Sequence, residues 1–209
     1  MTGSFQIEDV QGEFLVKLAR KAITEYLKSN VKVAPPPETP PRLREKCGVF
    51  VTLNRVTSGG GKELRGCIGY PEPVIPLVEA TIDSAINAAV GDLRFSPVRL
   101  EELSRIVVEV SVLTPPQLVK VENPKEYPGQ IRIGVDGIIV ERGFYRGLLL
   151  PQVPVEWGWD PEEFLSNGCL KAGLPPDAWL IPNTKIYKFQ AIIFEEEKPG
   201  GKVARRALK

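Results

Sequence analysis

The segment from residue 47 to residue 70 contains two apolar runs separated by a glycine-rich turn. CGVFVTLNR (47–55) and KELRGCIGY (62–70) are typical of strands, and TSGGGK (57–62) lies between them. Two strands joined by a short glycine-containing turn form a β-hairpin, so they pair antiparallel. We therefore expect antiparallel sheet in whatever fold the chain adopts.

The other predicted elements alternate between helices and groups of strands. Helical spacing of apolar residues predicts helices at 8–29, 76–90 and 159–174. Strand-like runs occur at 105–113, 144–151 and 185–196, and Asp136-Gly137 predicts a further hairpin turn. Hairpins with helices between them favour an α+β fold, mainly antiparallel sheet flanked by helices, over a doubly wound parallel sheet.

The length of 209 residues predicts a single domain over residues 1–209, or one domain with two lobes. Two segments are expected to lie outside regular structure. VAPPPETPPR (33–42) is a proline-rich extended linker, because proline lacks the amide donor that a helix needs. KPGGKVARRALK (198–209) has five basic residues and no acidic ones, and it is expected to be a frayed, solvated tail.

Composition excludes several kinds of site. The chain has no histidine, which removes the commonest general base and the commonest metal ligand. Its three cysteines form no CxxC pair, so we expect neither a metal site nor a disulfide framework, and no cofactor is predicted. The net charge of +1 makes nucleic-acid binding a weak alternative supported by the basic tail alone.

No apolar run reaches the roughly 20 residues of a membrane-spanning helix. The polar, acidic N-terminus differs from a signal peptide, so a cytoplasmic location without membrane contact is expected. No sequence feature specifies the oligomeric state.

The motif LRGCIGY (64–70) is the first candidate site. Strand alternation would place Arg65, Cys67 and Gly69 on one face, where a guanidinium would favour a thiolate. Gly66 and Gly69 would let a ligand or another backbone come close. The alternative is that Cys67 is a buried apolar filler and that Arg65 pairs with a structural carboxylate.

Two further segments add polar candidates. Asp92 and Arg94, in DLRFSPV (92–98), either bond to each other or share a cleft with Arg65 and Cys67, with Arg94 as an anion binder. Glu156 follows the PQVPV segment, which is expected to be extended, and it is the acid/base candidate, although a structural ion pair is the alternative.

The residues around Glu156 have structural interpretations. Trp157 and Trp159 could line a pocket, although core packing is the default for such residues. Asp160 is expected to cap the helix that follows, with Pro161 in its first turn and Glu163 completing a capping box.

Five segments together resemble the AMMECR family. They are LRGCIGY (64–70), DLRFSPV (92–98), EVSVLTPP (109–116), GLLLPQVPVEWGWDPEEFL (147–165) and KAGL (171–174), in the family's order. The resemblance covers roughly residues 10–195. It implies an α+β fold with two unequal lobes, the termini sharing the larger one.

The resemblance implies no settled reaction. It leaves an enzyme or small-ligand binder, with Cys67 and Glu156 as catalytic candidates and Arg65, Gly66, Gly69, Asp92 and Arg94 as ligand-binding candidates. The alternative is a scaffold that binds a protein partner, since relatives are encoded with Memo-like proteins and a radical SAM enzyme. The chain itself lacks the cysteine triplet that would hold an iron–sulfur cluster.

Overall fold

The computed structural model describes residues 5–206. The chain forms two compact units. The first extends to Leu113 and resumes at Ile192, and the second runs from Thr114 to Ala191. Each unit has helices, an antiparallel sheet and its own hydrophobic core, so the fold is α+β as predicted.

The helices are α1 (Asp9–Ser29), α2 (Leu77–Val90), α3 (Gln152–Trp157) and α4 (Pro161–Lys171). The strands are β1 (Gly48–Val56), β2 (Lys62–Tyr70), β3 (Ile106–Leu113), β4 (Gln117–Leu118), β5 (Gly137–Arg142), β6 (Tyr145–Leu149), β7 (Lys185–Phe189), β8 (Ala191–Glu196) and β9 (Val203–Arg206). Short 3-10 turns lie at Pro41–Arg44, Leu100–Arg105, Pro124–Gln130 and Ala178–Leu180. None of the helices among residues 5–206 is long and apolar enough to cross a membrane.

The first unit has a five-stranded sheet in the order β2-β1-β3-β8-β9. The predicted hairpin is confirmed, because β1 and β2 pair antiparallel, and β3 pairs antiparallel with the other edge of β1. Val49, Val51 and Leu53 of β1 are fully buried in the core that the sheet shares with α1 and α2. Successive strand residues alternate faces, so the residues between them point to the opposite side of the sheet.

The second unit has a four-stranded antiparallel sheet in the order β4-β7-β5-β6. α4 packs against β5 and β6, and Phe164 and Leu165 of this helix are fully buried against Ile138 and Val140. The predicted capping box is confirmed: the Asp160 carboxylate accepts from the amides of Glu162 and Glu163, and Glu163 accepts from the amide of Asp160. This end of α4 is thus defined by local sequence.

Two strand predictions in the second half of the chain are wrong. The hairpin turn lies at Gly143, which has φ of +60°, and not at Asp136-Gly137. Asp136 instead precedes β5, and its carboxylate accepts from the backbone and side chain of Arg132. The single strand predicted at 185–196 is two strands, because the chain leaves the sheet of the second unit at Gln190 and enters that of the first.

The two segments expected to be irregular have different outcomes. Residues 33–40 contain neither helix nor strand, as predicted, but Thr39 is buried and a 3-10 turn begins at Pro41. The prediction of a frayed tail is wrong for Val203–Arg206, which form β9. Arg205 donates to Asp9 and Arg206 to Glu109, so both tail arginines contribute to the fold. Residues 207–209 lie outside the described part of the chain.

Candidate functional site

Arg65 occupies a β-bulge in the motif strand. The β1–β2 register shifts between Leu53 and Asn54, so Arg65 has no residue directly opposite it. Its side chain donates to both oxygens of Glu102, at 3.0 and 3.1 Å, and to the carbonyl oxygen of Ser96 at 2.8 Å. The Arg65 hydrogen bonds hold the pKa of Glu102 below its usual range. The guanidinium therefore fastens β2 to the segment 96–102.

The bulge corrects one expectation about the motif. Regular alternation would have put Arg65 beside the Cys67 sulfur, but the extra residue in β2 breaks that alternation. The cation whose charge acts on the Cys67 thiol is Arg94. The alternative interpretation of Arg65, a partner for a carboxylate, matches its contacts with Glu102.

The two glycines of the motif are explained by packing. A Cβ atom on Gly66 would lie 2.0 Å from the carbonyl oxygen of Ala88 in α2. A Cβ atom on Gly69 would lie 2.3 Å from the carbonyl oxygen of Val49 and 2.6 Å from the Phe50 ring. Only glycine fits at either position without movement of its neighbours. The close approach expected at these glycines is made by the protein itself.

Asp92 and Arg94 clasp the outer edge of β2 at Cys67. The Cys67 amide donates to Asp92 Oδ2 at 2.9 Å, and Arg94 Nη2 donates to the Cys67 carbonyl oxygen at 3.4 Å. Arg94 also donates to both carboxylate oxygens of Asp92, at 2.9 and 2.7 Å. The pair thereby satisfies backbone groups that an edge strand would otherwise expose.

The clasp is asymmetric in its exposure. The Asp92 side chain is 6% exposed, whereas that of Arg94 is 57% exposed. The Arg94 hydrogen bond is the main reason why the pKa of Asp92 lies well below its usual range. Asp92 is therefore ionised at neutral pH and turned inward, while the guanidinium faces solvent.

The Cys67 thiol lies half-buried on the sheet face opposite the helices. It faces Thr52 across the strand pair, and the Thr52 hydroxyl lies 3.3 Å from the sulfur in hydrogen-bonding geometry. Burial raises the pKa of Cys67, and the Thr52 hydrogen bond and the Arg94 charge oppose that rise. The guanidinium of Arg94 does favour the thiolate, as expected of a neighbouring cation, but burial has the larger effect on the pKa of Cys67.

The other two cysteines are core residues. Cys47 and Cys169 are both buried. Burial raises the pKa of Cys47 to about 12 and that of Cys169 to about 11. Cys67 is the cysteine with partial access to solvent.

Sequence reasoning missed the polar residues that share a face with Cys67. Thr52 in β1 lies opposite both Cys67 and Glu109, so the three side chains point to the same side of the sheet. Glu109 is buried and accepts from Arg206 at 2.8 Å, with Ser111 at 3.3 Å from its other oxygen. Burial raises the pKa of Glu109, and the charge of Arg206 opposes the rise.

A signal for these residues is present in the sequence. In IVVEVSVL (106–113), Glu109 and Ser111 occupy alternate positions of an otherwise apolar strand. Period-2 placement of polar residues marks one face of a sheet, and in this strand that face is polar and buried.

Glu156 lies in the second unit, whereas Cys67 lies in the first. Glu156 belongs to α3, where its side chain is exposed. The expectation of an extended PQVPV segment is wrong, because Gln152–Trp157 form a short helix. The structure thus brings together Cys67, Asp92 and Arg94, with Arg65, Gly66 and Gly69 in the same strand and loop.

Among residues 5–206, no group of three or more potential metal ligands lies close together. The polar groups around Cys67 are one thiol, two hydroxyls, two carboxylates and two guanidiniums. This set suits hydrogen bonding and anion contact.

Comparisons with known proteins agree with the family resemblance. The AMMECR1 family model matches residues 16–194. Protein PH0010 of Pyrococcus horikoshii is 62% identical over 204 residues, which cover 98% of each chain. Protein MK0488 of Methanopyrus kandleri is 60% identical over 95% of this chain and 94% of its own.

The fold is shared with a solved structure. The crystal structure of the uncharacterized protein PH0010 from Pyrococcus horikoshii matches with a TM-score of 0.90 at 61% identity, over 98% of this chain and all of that one. The names of these relatives state no activity. By the family match and these identities, the chain belongs to the AMMECR1 family.

Proposed function

We propose that the first unit binds a small anionic ligand at the edge of its sheet, between Arg94 and Cys67. The observation that carries the proposal is the orientation of the Asp92–Arg94 clasp, with its carboxylate buried and its guanidinium exposed. Asp92 fixes the guanidinium through two hydrogen bonds, so little side-chain entropy is lost when a ligand binds. The ligand meets a preoriented cation.

The remaining hydrogen-bonding capacity of Arg94 fits an oxyanion. Nε and Nη2 bond to Asp92, and among residues 5–206 Nη1 has no hydrogen-bond partner. A guanidinium presents several donors in a plane, which matches carboxylate and phosphate geometry. We therefore assign the ligand to small carboxylates or phosphates.

In this proposal, Cys67 contacts the ligand as a neutral thiol. Its raised pKa favours the protonated form at neutral pH, so the ligand-free site holds no strongly nucleophilic thiolate. An enzymatic role would require the bound ligand to complete the catalytic set. Arg65, Gly66 and Gly69 shape the site through their packing, and Glu156 takes no part in it.

Nucleic-acid binding receives less support. Two of the five basic residues in the C-terminal segment, Arg205 and Arg206, form ion pairs with Asp9 and Glu109.

The cysteines bear on the location of the protein. Three free thiols suit a reducing compartment, and this supports a cytoplasmic location as part of the proposal.

The proposal is tested with phosphate, pyrophosphate and succinate as probes. We expect at least one of them to raise the melting temperature and to slow iodoacetamide labelling of Cys67. Arg94→Gln should lose both effects, because glutamine has no positively charged guanidinium group to bind the anion. Arg55→Gln is the matched control, since Arg55 is an exposed arginine paired with a carboxylate on the same sheet. Anion effects that survive in Arg94→Gln, or are lost equally in the control, would contradict the proposal.

A further inference from the structure

The second unit presents a tryptophan to solvent. The Trp157 side chain is 70% exposed, and its ring is stacked on that of Trp159 with centroids 6.0 Å apart and 18° between the ring planes. Trp159 packs against the hydrophobic core of the unit, so it holds the stacked pair of rings against that core. Trp157 therefore keeps one broad indole face in contact with water.

The backbone holds this arrangement in place. α3 ends at Trp157, and Gly158 follows in the left-handed conformation with φ of +67°. The amide of Trp159 donates to the carbonyl oxygen of Pro154 at 2.8 Å. This hydrogen bond folds the chain back against the C-terminal end of α3. Gly158 is thus the C-terminal cap that sets Trp157 and Trp159 side by side.

Exposure of such a large apolar ring calls for an explanation. The third tryptophan of the chain, Trp179, is buried in the core of the same unit, and its indole nitrogen donates to Ser166. Tryptophan is enriched among residues that dominate binding energy at protein interfaces, because it brings a large rigid surface at low entropic cost. An exposed, stacked tryptophan is such an anchor.

The charge of the sequence segment that carries the ring indicates the partner group. Between Gly147 and Leu170 the chain has four carboxylates and no lysine or arginine. Glu156, next to Trp157, is exposed. The face of an indole carries negative quadrupole charge and attracts cations, and adjacent carboxylates strengthen that attraction. The segment that carries Trp157 is thus complementary in charge to a cation.

We propose that Trp157 and Glu156 form a docking site for an arginine side chain of a protein partner. The planar guanidinium stacks on the free indole face, and its N–H groups reach the Glu156 carboxylate. Lysine fits less well, because its compact, strongly hydrated ammonium cannot stack. This site lies in the second unit, whereas the proposed anion site at Cys67 lies in the first.

The test uses hexa-arginine, hexa-lysine and hexa-glutamate peptides at matched, low ionic strength, with binding measured by calorimetry. We expect hexa-arginine to bind more tightly than hexa-lysine and hexa-glutamate not to bind. Trp157→Ala should weaken hexa-arginine binding by about threefold to tenfold, as expected for loss of a cation–π contact. Glu156→Gln should weaken it and reduce its salt dependence.

Phe144→Ala is the matched control, because Phe144 is a fully exposed aromatic residue of the same unit. It should bind hexa-arginine as the unmodified protein does. Indole NMR signals of Trp159 and Trp179 report whether each variant keeps its fold. The proposal is overturned by absence of hexa-arginine binding, by equal affinity for hexa-lysine, or by equal losses in Trp157→Ala and Phe144→Ala.

Discussion

Cys67 differs from Cys47 and Cys169 in what surrounds its sulfur. The two core cysteines are buried among apolar side chains. Cys67 has a hydroxyl within hydrogen-bonding distance and lies in the fields of one cation and two carboxylates. Burial is the main cause that raises the pKa of all three thiols, but Cys67 has partial access to solvent, and the charges that act on it can be changed one at a time by substitution.

This difference predicts opposite effects of two substitutions on the alkylation of Cys67. Arg94→Gln removes a charge that lowers the pKa of Cys67, so labelling by iodoacetamide should slow a few-fold at pH 8. Glu109→Gln removes a charge that raises this pKa, so labelling should become faster. Mass-spectrometric labelling rates at a series of pH values measure both effects, with Cys47 and Cys169 as internal references.

The directions of the two changes in labelling rate distinguish an effect of charge on the pKa of Cys67 from an effect of reagent access to its sulfur. If substitution merely loosened the sheet edge, both variants would label faster than the unmodified protein. Above the pKa of Cys67 the thiol is ionised in every variant, so charge-based differences should disappear there. Differences that persist at high pH would show that access, and not the pKa, controls the rate.

At the scale of elements, the motif strand β2 is held from three sides. β1 pairs with one edge, the Asp92–Arg94 clasp covers the other, and α2 presses on one face at Gly66. The approach of the Ala88 carbonyl oxygen to Gly66 leaves no space for a side chain. Contact between β2 and α2 therefore depends on that glycine.

Gly66→Ala should consequently destabilise the first unit by about 3 kcal/mol, because the new methyl group collides with backbone that cannot rotate away. Urea-induced unfolding followed by circular dichroism measures the loss. Gly59→Ala in the β1–β2 turn is the matched control, since a Cβ atom there meets nothing within 4 Å. The control should change stability by less than about 1 kcal/mol. Similar losses of stability in both variants would show that the neighbours of Gly66 move readily to accommodate a methyl group.

The elements that local chemistry specifies could be predicted from the sequence. The β1–β2 hairpin follows from its glycine-rich turn, and the start of α4 from its capping box. The break between β7 and β8 at Gln190 could not be predicted, because it depends on a contact with a residue that is distant in sequence. Gln190 exchanges hydrogen bonds with Thr114, far away in sequence, while its own neighbours continue the strand pattern.

The candidate site was predictable to a similar extent. Strand alternation and the motif located Cys67, and Asp92 with Arg94 were expected beside it. The β-bulge at Arg65 changes the face on which a residue lies, and no period-2 pattern reveals it. Glu109 lies on the same face of the sheet as Cys67 because β1 pairs with β3, and Arg206 reaches Glu109 from the end of the chain. These contacts join segments that are distant in sequence, so they depend on tertiary structure.

At the scale of the whole molecule, the chain leaves the first unit once and returns to it. The second unit is continuous in sequence, and its core contains only residues between Val119 and Ile186. The core of the first unit requires Phe194, from the returning segment. The Phe194 ring fills the space that a side chain at Gly12 would occupy, so α1 packs directly against the returning β8.

This connectivity predicts different folding behaviour for three fragments. Residues 114–191 should fold alone, because their sheet and core are complete. Residues 1–113 should not, because they lack β8, β9 and Phe194. Joining Leu113 to Ile192 through a short glycine–serine linker should restore folding, since the Thr114 amide lies 2.8 Å from the Gln190 carbonyl oxygen and the two chain crossings are adjacent.

Thermal unfolding by circular dichroism distinguishes the fragments. The linked first unit should unfold in a single cooperative transition, and residues 1–113 should show none, because an exposed α1 face and an open sheet edge leave the core incomplete. Cooperative unfolding of residues 1–113 at the same temperature as the linked protein would contradict the argument, since the returning segment would then contribute nothing. The linked protein also tests the independence of the two proposed sites. It should keep the anion effects at Cys67 and lose hexa-arginine binding, because Trp157 leaves with the second unit.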